Sequence, residues 1–563
     1  MELTDNKIKD ILLRESYISP ENVSEGEEYL KENDTNFVDY LLEQGLITES
    51  ILGQALGEYF GVPYLDLAKI KVEEKILNQI PEKVARNKKV IAVKKTARGV
   101  KVGMTNPEDL EIVHLLEKKL GARVLPYFVL ERDFNNALSY YRVNLKEKLI
   151  DVFEKTKEKE LTKEERDDLL VRAVDLIIEL GQQNKASDIH IEPYYHKFMV
   201  RFRIDGVLHD ILEGPQELKD LILSRIKIMA RMRTDEHRAA QDGKIKFKGR
   251  EERMDIRVSI VPVSSGENVV LRLLSTQNQE FTLHDIGLKS EDLEKVRKAL
   301  EYPHGMVLVT GPTGSGKTTT LYTMLKVLNR REVHISTIED PVEYDIESIS
   351  QIQVNTKTNL TFAKGLRAIV RQDPDIIMVG EVRDEETASI AVNSAMTGHL
   401  VLSTLHTNDA PTALPRLLDM NIEPFLISST VSVVIAQRLV RKICPNCRTS
   451  YQFNKKELKL IKKEKNTVKS IEKRAGRKIE NIRFYKSPGC NICSNTGYMG
   501  RIGVFEVLYL DEEIRKLVVE NASSDQIRSK ARSKGMNTMF EDGIDKVLGG
   551  ITTLNEVLRV SKL

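Results

Sequence analysis

The segment GMVLVTGPTGSGKTTTLYTMLKVLN, residues 305–329, decides how this chain folds. Its opening apolar run reads as a strand buried on both faces. Gly311, Pro312, Thr313, Gly314, Ser315, Gly316, Lys317 and Thr318 then form a complete G-x-x-x-x-G-K-[ST], and Thr319 leads on into a helical stretch. The glycines let the backbone N–H groups of Gly314 to Lys317 turn inward around phosphate oxygens at a helix N-terminus. Lys317 is then placed to reach the β- and γ-phosphates, and Thr318 to ligate magnesium. The implied ligand is a nucleoside triphosphate, with ATP the first choice.

Around this loop, from about Glu280 to the end, the apolar runs GMVLVTG, VHISTIED, IIMVGE and HLVLSTL alternate with helical stretches. That alternation predicts an α/β unit with a mostly parallel sheet covered by helices. IIMVGE brings Glu381 to a strand end beside the phosphates, as a Walker-B-type acid for magnesium. Glu339-Asp340-Pro-Val-Glu343 ends another strand and suits holding or deprotonating the attacking water. His406 ends a third, where it can sense the γ-phosphate. Singly, each has a plainer explanation as a capping acid, a salt bridge or a core histidine. Beside a complete P-loop the catalytic reading is preferred.

The chain has four cysteines, and they are paired: Cys444 with Cys447, and Cys490 with Cys493, each as C-x-x-C. Two chelating pairs of soft thiolates suit tetrahedral zinc better than a disulfide framework or four free buried thiols. Four ligands leave no open position, so the expected role is structural. The separation of the pairs places a small subdomain between them.

The 563 residues predict several domains. Lys and Arg (86) nearly balance Asp and Glu (84), which removes a whole-chain drive toward nucleic acid or anionic lipid. No apolar run approaches the roughly 18 residues of a membrane span. The opening MELTDNKIKDILLRES lacks the features of a signal peptide, so a cytosolic protein is expected. Residues 36–67 read as a helix-turn-helix pair, with Gly45 ending the first helix and Thr48 starting the second. A small α/β unit extends to about residue 141. The highly charged stretch 142–168 reads as a charged linker, either a solvated helix or a flexible hinge between domains. Strand-like alternation follows one helix in the unit 169–278.

Three motifs in order, IEDPVE (338–343), RQDPDIIMVGEVRD (371–384) and TGHLVLSTLHTND (397–409), resemble the Asp box, Walker B and His box of type II secretion and type IV pilus ATPases. ASDIHIEP (186–193), RFRIDG (201–206), the run 241–274, QRLVRKICPNC and GCNICSNTGYMGRIGVFEVL carry the resemblance over essentially all of 169–563. It implies a RecA-like ATPase domain (279–563) with an inserted zinc module (444–493). An α+β, PAS-like middle domain (169–278) and a small α/β N-terminal docking or regulatory domain (1–141) would precede it. By position, it implies that Glu343 is the general base, Glu381 helps hold magnesium, and His406 lies at the interdomain face. Arg257 and Arg272 match arginines that reach the phosphates, although salt-bridging on strand surfaces is what their sequence context alone favours.

The resemblance further implies a homohexamer at the cytoplasmic face of the inner membrane, reaching that membrane through a platform protein and a cytoplasmic adaptor, with no nucleic-acid partner. The tetracysteine module and the N-terminal domain point to pilus extension rather than retraction, with type II secretion as the alternative. Some members bind cyclic di-GMP through an Arg-Leu-Gly opening in the N-terminal domain. Asn36-Phe-Val-Asp-Tyr40 stands at that place without the arginine or glycine. A DNA-translocating ATPase and a nucleotide-binding regulator without turnover are the rivals from other classes.

Overall fold

A computed structural model describes residues 5–15, 17–32, 37–43, 46–67, 70, 72, 74–77, 79–138, 145–156, 162–249, 253–274, 281–462, 464–490 and 492–561. The P-loop strand Gly305–Thr310 is buried at every residue. It lies inside a seven-stranded sheet ordered Ile349–Gln353, Ile335–Glu339, Ile376–Val379, Leu400–Leu405, Gly305–Thr310, Val431–Ile443, Tyr498–Tyr509. All neighbours run parallel except the last pair. Alternate residues of the P-loop strand feed two cores. Met306 and Leu308 join Val401, Ile377 and Val434 on one face, while Val307 and Val309 join Leu402, Leu321 and Ile435 on the other. Helices on both faces explain why these strands are apolar throughout.

The antiparallel partners Val431–Ile443 and Tyr498–Tyr509 form a long ribbon with the cysteine module at its tip. The module contains the short strands Thr449–Tyr451 and Phe484–Lys486 and the helices Lys455–Ile461 and Lys465–Ala475. Its Ile471, Ile479 and Phe484 share a core with Val440, Val504 and the C-terminal helices Met539–Leu548 and Leu554–Ser561.

A six-stranded, wholly antiparallel sheet precedes this unit, ordered Val207–Pro215, Lys197–Ile204, Asp188–Pro193, Gly266–Leu274, Arg253–Val263, Gln241–Lys248. Side chains of Lys163–Gln183 and Gln216–Met229 fill its core. The charged stretch is helical over part of its length, but one face of that helix is not solvated. Leu145–Lys155 is a helix whose Leu145, Leu149, Val152 and Phe153 are buried in the same core. Their spacing puts one apolar stripe on an otherwise charged helix. Lys163–Gln183 begins at a capping box in which Thr162 and Glu165 satisfy each other's backbone N–H groups.

The N-terminal residues build a helical core around Leu12, Leu41 and Leu56 and a three-stranded sheet of Val90–Thr96, Gly99–Met104 and Val124–Phe128. Thr48 caps the helix Glu49–Tyr59 as expected, accepting from Ile51 N–H at 3.3 Å. The expected stop at Gly45, Asn36 of the cyclic di-GMP motif, and the divisions near 141–144 and 275–280 lie outside the described residues. The three units meet at the cysteine module. Arg132 Nε donates to Asn446 O at 3.0 Å, Ser494 Oγ to Asn184 Oδ1 at 3.0 Å, and Gly500 N to Asp205 Oδ2 at 2.9 Å.

Candidate active site

Positive φ angles at Gly311 (146°), Gly314 (78°) and Gly316 (88°) shape the loop after Thr310. Only glycine adopts them without strain. A Cβ on Gly311 would meet the Gln437 carbonyl oxygen at 2.5 Å and Ser315 Oγ at 2.6 Å. Lys317 Nζ donates to the carbonyls of Gly311 (2.9 Å) and Pro312 (3.2 Å), curling back over the loop. Burial lowers its pKa against the pull of Glu381. Ser315 Oγ is buried with no hydrogen-bond partner among the described residues, and Thr318 is exposed. An orphaned hydroxyl within a cradle of glycines fits an anion with several acceptor oxygens.

Gln437, which opens the stretch QRLVRKICPNC but has no role assigned from the sequence, fixes this loop to the next strand. Its Nε2 donates to Ser315 O at 2.8 Å, and its Oε1 accepts from Thr320 Oγ1 at 2.7 Å. It lies more than 100 residues downstream of the P-loop and does no chemistry itself, so the stretch that contains it gives no sign of this contact.

Glu381 follows the strand Ile376–Val379 and is mostly buried, with Arg383 Nε 2.6 Å and His406 Nε2 3.2 Å from its Oε2. The structure thus brings the Walker-B acid and the His-box histidine together. It separates the two glutamates of the Asp box. Glu339 is buried, receiving Tyr322 Oη (2.5 Å), Thr337 Oγ1 (2.6 Å) and Gln351 Nε2 (3.2 Å). Its oxygens are already engaged, whereas the Glu343 side chain is 39% exposed.

Arg257 crosses from the middle sheet to this loop. Its Nη2 donates to Val342 O at 2.8 Å and its Nη1 lies 3.4 Å from Glu343 Oε2. Arg272 instead donates through Nε to Asp188 Oδ1 at 3.0 Å, within its own sheet. Of the two expected arginines, the structure brings one to the ATPase unit and pairs the other on the strand surface.

The four cysteine sulfurs lie within 4.8 Å of one another, with 444–490 and 447–493 at 3.9 Å and 490–493 at 3.8 Å. A tetrahedron with metal–sulfur bonds of about 2.3 Å has sulfur–sulfur edges of about 3.8 Å, so the donor set fits zinc. Burial raises the Cys444 and Cys447 thiol pKa values. At Cys493 burial also acts upward, but N–H groups of Cys490 and Gly497, at 3.1 and 3.3 Å from its sulfur, outweigh it and lower the pKa.

The model of the "Type II/IV secretion system protein" family matches residues 163–559, and that of the "MshEN domain" matches residues 60–147. The chain is 39% identical over 568 residues to the type IV pilus assembly ATPase PilB of Myxococcus xanthus, covering 98% of each chain. It is 45% identical over 403 residues to type II secretion system protein E of Pseudomonas aeruginosa, covering 72% of this chain and 78% of that one. Among solved structures, the Legionella pneumophila ATPase DotB superposes with a TM-score of 0.51 at 23% identity, covering 69% of this chain and 95% of DotB. The last likeness bears on fold alone.

Proposed function

The chain belongs to the type II/IV secretion system protein family, and from that premise we propose that it is an ATPase whose hydrolysis of ATP to ADP and phosphate drives type IV pilus assembly. The observation that carries the pilus reading is likeness over 98% of both chains, N-terminal unit included, to a pilus assembly ATPase. The higher identity to a type II secretion protein over 72% of this chain makes secretion the second reading.

In this reading Gly311 to Thr319 wrap the phosphates and Lys317 leaves its two carbonyl partners for the β- and γ-phosphates. Thr318 and Glu381 would hold magnesium, which neutralises charge on the phosphates when bound. Glu343 takes a proton from the attacking water, and Arg257, already beside it, counters charge spreading over the γ-phosphoryl group. His406 acts through Glu381. Arg272 joins once it leaves Asp188. Cys444, Cys447, Cys490 and Cys493 would hold zinc, which would tie the module's two knuckles together. The working form is a homohexamer at the cytoplasmic face of the inner membrane, acting on a platform protein with the help of a cytoplasmic adaptor. No helix among the described residues is long and apolar enough to cross a membrane.

The test is ATPase rate against protein concentration, with particle size by light scattering, with and without polynucleotide. Turnover that rises with hexamer formation and ignores DNA supports the proposal; turnover in a monomer or driven by DNA overturns it. Cyclic di-GMP belongs in the same titration. Restoring piliation, rather than secretion, to a strain lacking its own motor decides between the two machines.

A further inference from the structure

Tyr322 lies on the helix Lys317–Leu328, five residues beyond the P-loop lysine, and is 1% exposed. Its hydroxyl has three neighbours from three other segments. It donates to Glu339 Oε2 at 2.5 Å, accepts the backbone N–H of Glu343 at 3.2 Å, and lies 3.3 Å from Gln351 Nε2. The Tyr344 ring meets the Tyr322 ring edge-on, with centroids 4.7 Å apart. Burial, then the Glu339 charge, raises the phenol pKa far above its ordinary value, so the oxygen keeps the proton that it donates.

We infer that Tyr322 is a positioning residue for hydrolysis: through Glu339 and the Glu343 backbone it fixes the helix carrying Lys317 to the loop carrying the general base. The inference rests on the reading of Glu343 as that base. Satisfying a buried carboxylate would need only the bond to Glu339; the bond from Glu343 N–H adds a hold on the loop. The Glu343 side chain pairs with Arg257 of a different sheet, and Gln351 holds the loop further on, at Tyr344 O (3.3 Å) and Ile346 N (2.7 Å). Of these contacts, only the Tyr322 bond ties Glu343 itself to the helix that carries Lys317. An error of about 1 Å in such a placement costs on the order of a hundredfold in rate.

The experiment compares the full chain with Tyr322→Phe, Glu343→Gln and the double variant, measuring kcat, KM, nucleotide affinity and amide hydrogen exchange. Tyr322→Phe removes one oxygen atom. It is expected to lower kcat by about tenfold or more, hold KM and nucleotide affinity within about twofold, and speed exchange in residues 339–345. In the Glu343→Gln background it should lower the residual rate no further. A Tyr322→Phe protein with unchanged kcat or unchanged exchange at 339–345 overturns the inference. So does the same fold-loss in both backgrounds, which would mark a purely structural role. If Glu343→Gln itself keeps full turnover, the reading of the base has failed instead, and the exchange result alone still tells whether Tyr322 holds the loop.

Discussion

Arg257 and Arg272 are Cα partners across adjacent antiparallel strands, yet their guanidinium groups end at different acids. Arg257 reaches Glu343 in the ATPase unit, whereas Arg272 stays with Asp188, itself directly opposite it on the third strand. Alanine at Arg257 is therefore expected to lower kcat by about tenfold or more, with nucleotide affinity much less affected. Arg257→Lys should recover little, because an ammonium cannot serve the Val342 carbonyl and Glu343 with a planar fork. Equal losses in turnover and affinity would point to damage in the ground state.

The amide of Gln437 is the P-loop's support from the neighbouring strand. Gln437→Glu sets a buried carboxylate against the Ser315 carbonyl oxygen, two acceptors with no proton between them. The penalty of about 1–3 kcal/mol corresponds to ATP affinity about 5- to 150-fold weaker at pH 8. At pH 6 the defect should shrink, as the new carboxyl takes up a proton and can donate. A nucleotide titration at both pH values checks this, and affinity equal to that of the parent at both contradicts it.

Cys490→Ser removes one corner of the sulfur tetrahedron. Elemental analysis should find about one zinc ion per parent chain and a clear deficit in the variant, along with lower soluble yield. A metal-free parent purified without chelator would refute the zinc assignment.

Buried Glu556 accepts from Arg441 N–H (3.1 Å), Arg441 Nη2 (2.7 Å) and Arg559 Nη2 (2.9 Å). Burial acts to raise its pKa, but the two arginines prevail and hold it at about 2. A folded pKa below the unfolded one stabilises above the unfolded value, and that stability is lost as pH falls from about 5 toward 2. Glu556→Gln should cost about 3 kcal/mol at pH 7, with the gap to the parent falling to about half by pH 3 and closing toward pH 2. Urea denaturation across that range measures it; a gap constant with pH would assign the loss to packing.

What the sequence makes legible follows the range of the interactions. The P-loop, the buried strands and the box residues are local patterns, and the structure places them along one sheet. The roles of Gln437, which opens QRLVRKICPNC, and of Tyr322 escaped because they lie in hydrogen bonds to segments distant in the chain, and neither residue type signals chemistry. Leu145, Leu149, Val152 and Phe153 were readable by spacing, but the surrounding charge hid the stripe. The different ends of Arg257 and Arg272 depend on how two sheets approach one another, which no single-strand pattern encodes.

The strand Val431–Ile443 carries Gln437 against the P-loop and runs directly into Cys444. Between those two residues it contains neither glycine nor proline, and the ribbon partner Tyr498–Tyr509 braces it with one register shift, between Arg441 and Ile443. Seven residues of extended chain span about 23 Å, at roughly 3.3 Å each. Such a segment is a stiff spacer, held by the P-loop contact at one end and the cysteine module at the other. No flexible hinge therefore separates the phosphate loop from the cysteine knuckles along this strand.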